Sequence, residues 1–167
     1  MKNFRISLAW CALLTAVAFA MPARAELFGT TREFIGELKA DGLKYSIIDE
    51  SAEKNAVRLS FTGTNTSNIV VSVYLQKKSP REAELRVWNF VTVPPKKIYK
   101  VMSTLHDLNK KYKFCKFTFD SRNNTVDVEF DVLVERGAVG KICRHAVNRI
   151  VNIADAAYPT LMQAIWN

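Results

Sequence analysis

Alternation of apolar and polar side chains along three successive stretches limits the possible folds of this chain most strongly. In residues 56–63, Val57 and Leu59 alternate with polar residues, and residues 69–76 and 83–93 continue the pattern. Short polar segments separate these stretches. Strands joined in this way pair antiparallel and leave one face of the sheet apolar. The sequence therefore predicts an antiparallel sheet with one face that other elements must cover.

Three other segments have the 3.6-residue period of amphipathic helices. The first, residues 30–40, opens with the capping-box spacing of Thr30 to Glu33. The second, residues 96–112, follows two prolines and has the clearest apolar stripe. The third begins at about residue 139, and Pro159 is expected to kink or restart it.

A hairpin of residues 115–119 and 126–132 lies between the last two helices, and residues 43–49 form a weaker strand near the start. The predicted order is α-β-β-β-β-α-β-β-α. We therefore expect an α+β fold in which helices cover one face of an antiparallel sheet. Residues 26–167 contain no internal repeat or linker, which predicts a single domain.

The first 25 residues have the three parts of a cleaved export signal. Basic residues precede the uncharged apolar run of residues 6–20, and Ala23-Arg24-Ala25 places small side chains where a signal peptidase requires them. The run is shorter than the roughly 20 residues that cross a bilayer. We expect cleavage before Glu26, no integral membrane segment in the mature chain, and a periplasmic location in a Gram-negative cell. Secretion is the alternative.

The charge balance is basic, with 24 Lys and Arg against 16 Asp and Glu, a net charge of +8. Three basic residues lie in the export signal, so the mature chain is near +5. The lysine doublets at 77–78, 96–97 and 110–111 form no single stripe with interleaved aromatic residues. We therefore expect no nucleic-acid partner. A solvated basic surface is the first interpretation, and attraction to an anionic membrane surface or cell wall is the second.

Several local sequences resemble those of the YbjN family, whose domain adopts a fold like that of type III secretion chaperones. They are Leu105-x-x-Leu108-Asn109, Phe114, the return strand Val126–Asp131 and the segment Tyr158–Met162. The resemblance covers nearly all of the mature chain, with Arg136-Gly137-Ala138 in place of an expected Gly-Gly pair. It implies a non-enzymatic protein related to secretion chaperones, of a kind also labelled as sensory transduction regulators.

Catalytic motifs are missing from the sequence. No serine lies in a Gly-x-Ser-x-Gly turn, and the two histidines, His106 and His145, have no carboxylate spaced for a catalytic triad. Six glycines form no phosphate-binding loop, and the spacing of the histidines and cysteines matches no metal-ligand pattern. We therefore predict no cofactor and no enzymatic activity, with a hydrolase as the less favoured alternative.

Cys115 and Cys143 both fall on positions that face the predicted core. In an oxidising compartment they could form a disulfide if their Cα atoms lie within about 7 Å. The bond would close a loop of 29 residues and stabilise the fold by about 3–4 kcal/mol. The alternative is two buried thiols that act as small apolar side chains.

Asn109 lies near the apolar face at the end of the second predicted helix. A buried amide without hydrogen-bond partners costs about 1–3 kcal/mol. We expect a structural role, in which Asn109 caps the helix or binds the backbone at the start of the next strand.

The outward side of the middle strands is the candidate functional surface. Arg86, Trp88 and Phe90 share one parity, and Arg58 and Tyr74 face the same way on neighbouring strands. These residue types are enriched in protein interfaces. Burial of both faces of the fourth strand would also explain aromatic residues at these positions. The sequence favours a non-enzymatic periplasmic domain that binds an unidentified protein, with a homodimer as one candidate. The alternative is an exported small-ligand or envelope-associated module.

Overall fold

The computed structural model describes residues 26–167, so the predicted export signal lies outside the described residues. The α+β fold and the predicted order of elements are confirmed, with a short 3-10 helix added at Pro95–Lys97. The elements are α1 (Gly29–Ala40), β1 (Ser46–Glu50), β2 (Lys54–Phe61), β3 (Ile69–Gln76), β4 (Glu82–Thr92), α2 (Ile98–Lys111), β5 (Lys116–Asp120), β6 (Thr125–Leu133) and α3 (Val139–Trp166).

Six strands form one sheet in the order β1-β2-β3-β4-β6-β5, and every neighbouring pair is antiparallel. Because β6 lies between β4 and β5, those two strands run parallel to each other. They need a crossover connection rather than a tight turn, and α2 supplies it.

All three helices pack on the same face of the sheet and share one apolar core with it. Phe34 of α1, Phe117 of β5 and Ile150 of α3 are almost fully buried in this core. On β2, Val57 and Leu59 point toward the helices as the alternation predicts. The opposite face, which we call the outer face, carries no helix among the described residues. None of the helices in residues 26–167 is long and apolar enough to cross a membrane.

The start of α1 differs from the predicted capping box. Phe28 is the N-cap residue, and no side chain caps the helix. The hydroxyl of Thr31, next to the predicted cap residue Thr30, donates to Oδ1 of Asn55 on β2 at 2.9 Å. The carboxylate of Glu33 accepts from the N–H of Gly137, just before α3, at 3.0 Å. The two polar side chains therefore connect α1 to distant parts of the chain, which local spacing alone does not reveal.

Helix α3 continues through Pro159 to Trp166, so the predicted restart does not occur. One turn before Pro159, the carboxylate of Asp155 accepts hydrogen bonds from the backbone of the β2–β3 turn. The donors are the N–H groups of Thr64 at 3.1 Å, Asn65 at 2.8 Å and Thr66 at 3.1 Å. A Cβ atom at Gly63 would lie 2.1 Å from Oδ1 of Asp155, so a larger residue there would displace the carboxylate from these amides.

We expect Asp155→Asn to destabilise the protein at neutral pH and to have little effect in acid. Desolvation is the largest effect and would raise the pKa of Asp155, but the amides of Asn65, Thr66 and Thr64 together outweigh it and lower the pKa. A carboxyl group whose pKa is lower in the folded state than in the unfolded state stabilises the fold at pH values above its unfolded-state pKa. This stabilisation is lost as the pH falls through the folded-state pKa. The urea midpoints of the wild type and Asp155→Asn should therefore differ at about pH 7 and converge as the pH is lowered to about 2.

The matched control is Asp107→Asn, which removes the same charge from an exposed position on α2. Its urea midpoint should differ little from that of the wild type across the same pH range. If the urea midpoints of Asp155→Asn and the wild type differed by the same amount at every pH, the contact with the turn would not depend on an ionised Asp155.

Candidate functional site

Four of the five residues singled out from the sequence lie on the outer face. Strand pairing places Arg58 opposite Ser72, Ser72 opposite Arg86, and Arg86 opposite Glu129. This row crosses four adjacent strands. Arg58 is exposed, whereas Ser72 and Arg86 are buried although they point away from the core.

Arg86 is not available to a partner as the sequence suggests, because neighbouring carboxylates enclose it. Its side chain is 11% exposed and lies 2.5 Å from Oδ1 of Asp131, 3.5 Å from Oε2 of Glu84 and 3.9 Å from Oε2 of Glu129. Its guanidinium also donates to the carbonyl of Leu85 at 2.9 Å. One cation therefore lies among three carboxylates of strands β4 and β6 and offsets part of their charge, which is a structural role.

Trp88 and Tyr74 form an aromatic pair on the outer face. The indole Nε1 of Trp88 donates to the hydroxyl of Tyr74 at 2.8 Å. Trp88 is 45% exposed, and Tyr74 is half-buried with the ammonium of Lys54 5.3 Å from its ring centroid. The hydrogen bond restrains the two side chains relative to each other. The outer face therefore presents an ordered, partly exposed aromatic surface.

The expectation that Phe90 shares this face is wrong, because β4 is irregular at Asn89. The backbone of Asn89 has φ 52°, and the pairing of β4 with β6 shifts between Val87 and Val91. Phe90 therefore lies on the helix side, where its ring centroid is 5.8 Å from that of Tyr158 in α3. A signal for this bulge was present in the sequence, since asparagine tolerates left-handed backbone and interrupts an otherwise apolar run.

Beside the bulge lies an open depression of about 500 Å³. Trp88 and Asn89 form one wall. The rest is formed by Thr118, Phe119, Asp120, Arg122, Asn123, Asp127 and Glu129. Asp127 is buried, and its Oδ1 accepts from the N–H of Asn89 at 2.6 Å. Burial raises the pKa of Asp127, the Asn89 amide partly offsets this, and the charges of Asp120 and Glu129 raise it further. Asp127 is therefore a buried carboxyl group on the outer face.

Comparison with known families shows which family this chain belongs to. Residues 37–163 match the family model of YbjN, described as "Putative bacterial sensory transduction regulator". The chain belongs to the YbjN family. The matched segment begins within α1, includes all six strands and ends in the last turns of α3. No curated protein matches the chain closely enough to be called a relative. The YbjN family supports a regulatory or binding role and is not a known enzyme family.

Asn109, part of the sequence that resembles YbjN proteins, joins α2 to β5. Its Nδ2 donates to the carbonyl of Phe117 at 3.0 Å, and its Oδ1 accepts from the N–H of Phe117 at 2.7 Å. One side chain thus pairs with both backbone groups of a strand residue, as a neighbouring strand would. The contact stabilises β5 at the edge of the sheet, and Asn109 does not belong to the outer face.

Cys115 and Cys143, the two cysteines of residues 26–167, are buried free thiols in this structure. Burial raises the pKa of Cys115 to about 11 and that of Cys143 to about 12. A thiol with so high a pKa is a poor nucleophile at neutral pH. The disulfide between them stays a prediction, and the observed environment is that of small apolar core residues.

The two histidines, His106 on α2 and His145 on α3, are both exposed. Among residues 26–167, no group of three or more His, Cys, Asp or Glu side chains is arranged to hold a metal ion. The chemistry that the described outer face offers is recognition by an aromatic pair beside ordered carboxylates.

Proposed function

We propose that this YbjN-family chain is a non-enzymatic regulatory domain that acts in the periplasm by binding a protein through its outer face. The main support is the exposed indole of Trp88, held by Tyr74 on a face that none of the helices in residues 26–167 covers. The export-signal pattern of residues 1–25 supports the location.

The Trp88–Tyr74 pair has the physical properties of an interface anchor. Tryptophan and tyrosine bury a large area for few rotatable bonds, and they dominate the energetics of many protein interfaces. The hydrogen bond between them at 2.8 Å restricts both side chains in the free protein. Binding then loses less conformational entropy than it would with mobile side chains.

The surroundings of the pair favour a partner with basic groups. Glu84, Asp127, Glu129 and Asp131 lie on the outer face of β4 and β6, and Arg86 is already enclosed by three of them. Carboxylates around an apolar centre give a polar rim that selects partners by charge. Exposed Arg58 lies further along the same face, two strands from Arg86.

The experiment compares two variants that each lose one exposed tryptophan. Trp88→Ala removes the outer-face anchor, and Trp166→Ala removes a 75% exposed tryptophan at the end of α3. Immobilised mature chain should capture a partner from periplasmic extract, and the affinity for the purified partner should fall about 30-fold or more for Trp88→Ala. Trp166→Ala should bind as the wild type does.

Light scattering on the purified variants identifies the case in which the partner is a second copy of the chain. A dimer that Trp88→Ala converts to a monomer would support a homodimer through the outer face. Equal binding by the wild type and Trp88→Ala would refute the proposed surface.

A further inference from the structure

Helix α2 exposes a stripe of side chains on the side away from the core. We call Tyr99, Met102, His106 and Lys110 the α2 stripe; they are spaced three, four and four residues apart and so lie on one face of the helix. Tyr99 is 90% exposed and Met102 is 48% exposed. The opposite side of α2 is buried through Val101, Leu105 and Leu108.

Positive charge surrounds the α2 stripe. Residues 95–114 contain six lysines and a single acid, Asp107. The lysines are Lys96, Lys97, Lys100, Lys110, Lys111 and Lys113. Within residues 26–167 none of them takes part in an ion pair. Their charge is therefore not neutralised by the protein and is available to an anionic surface.

This basic region lies on the helix side of the sheet, whereas acidic side chains crowd the outer face. Glu84, Glu129 and Asp131 surround Arg86 there, and Asp127 is buried beside them. The net charge of the mature chain is thus unevenly distributed, with the excess of lysines along α2.

We propose that α2 docks on the surface of a bilayer that contains anionic phospholipid. Tyr99 and Met102 would enter the headgroup region, and the lysines would lie over the lipid phosphates. Tyrosine is suited to this boundary because its ring is apolar and its hydroxyl is polar. Lysine stems lie along apolar surface while their ammonium groups reach the phosphates. Charge complementarity and the exposed aromatic ring favour a lipid surface over a folded acidic protein.

The docked orientation leaves the outer face accessible. Because the helices cover one side of the sheet, a chain lying on α2 keeps Trp88 and Tyr74 away from the lipid. The membrane contact therefore does not depend on the proposed function of the outer face, and the two surfaces can be occupied together.

The test is sedimentation of residues 26–167 with vesicles of phosphatidylcholine that contain about a third phosphatidylglycerol, compared with pure phosphatidylcholine. We expect binding only to the anionic vesicles, weaker at about 0.3 M than at about 0.05 M salt. Neutralising three lysines in Lys96→Gln/Lys97→Gln/Lys100→Gln should lower the partition coefficient about 100-fold, since each lysine near the surface contributes about fivefold. Tyr99→Ala should lower it several-fold without changing the thermal midpoint.

The matched control is Lys44→Gln/Lys77→Gln/Lys78→Gln, which removes the same charge from exposed lysines outside α2. It should retain most of the binding. Three results would each overturn the proposal: no binding to anionic vesicles at low salt, equal losses in the two triple variants, or unchanged binding by Tyr99→Ala. The last result would indicate attraction to any polyanion, including nucleic acid, without insertion at a lipid surface.

Discussion

Phe34→Ala is expected to lower the free energy of unfolding by about 3–5 kcal/mol, the largest effect of a single substitution that we predict. Phe34 is fully buried and is among the largest side chains of the core. Its removal loses the transfer free energy of the ring and leaves a cavity between α1 and the rest of the fold. A domain of this size should then melt about 10–20 °C lower, as measured by circular dichroism.

Tyr99→Ala provides the matched control, because it truncates an aromatic ring that is 90% exposed. Its unfolding free energy should change by less than about 0.5 kcal/mol. A loss of less than about 1 kcal/mol for Phe34→Ala would contradict the description of α1 as a part of the common core.

Arg86→Met should destabilise the protein by about 2–4 kcal/mol, as measured by urea unfolding at neutral pH. The substitution keeps most of the side-chain volume but removes the only cation near Glu84, Glu129 and Asp131 among the described ion pairs. Breaking an ion-pair network from one side leaves its charges uncompensated. The loss of stability should be smaller than for a fully buried ion-pair network, because the side chains of the three carboxylates are 29–64% exposed.

Arg58→Met is the control on the same face, since Arg58 is exposed and has no ion pair among the described residues. Its effect should be within about 0.5 kcal/mol. Equal effects of the two substitutions would show that the carboxylates around Arg86 need no counter-charge.

Periodicity was sufficient to predict most of the fold. Val57 and Leu59 alternate with polar residues because one face of β2 meets the helices, and this pattern is local in the sequence. The apolar positions of α2 repeat every 3.6 residues for the same reason. Burial of Cys115 and Cys143 also follows from spacing alone.

Predictions that depend on distant partners were less successful. Thr30 and Glu33 have the spacing of a capping box, but no side chain caps α1, and the partner of Glu33 is Gly137, 104 residues away. Arg86 has outward parity, yet carboxylates from β4 and β6 enclose it. Sequence parity gives the direction of a side chain and does not give the neighbours that surround it.

The bulge at Asn89 places two neighbouring aromatic rings on opposite sides of the sheet. Trp88 and Phe90 are two residues apart but contact opposite sides of the sheet, Trp88 through Tyr74 and Phe90 through Tyr158 of α3. Hydrogen bonds hold the bulge in this shape, because Asn89 accepts from the hydroxyl of Thr125 and donates its N–H to Asp127. In a regular strand, residues two apart point to the same side. A substitution that straightens the bulge would therefore turn one of the two rings to the wrong side of the sheet, so the correct placement of both depends on Asn89.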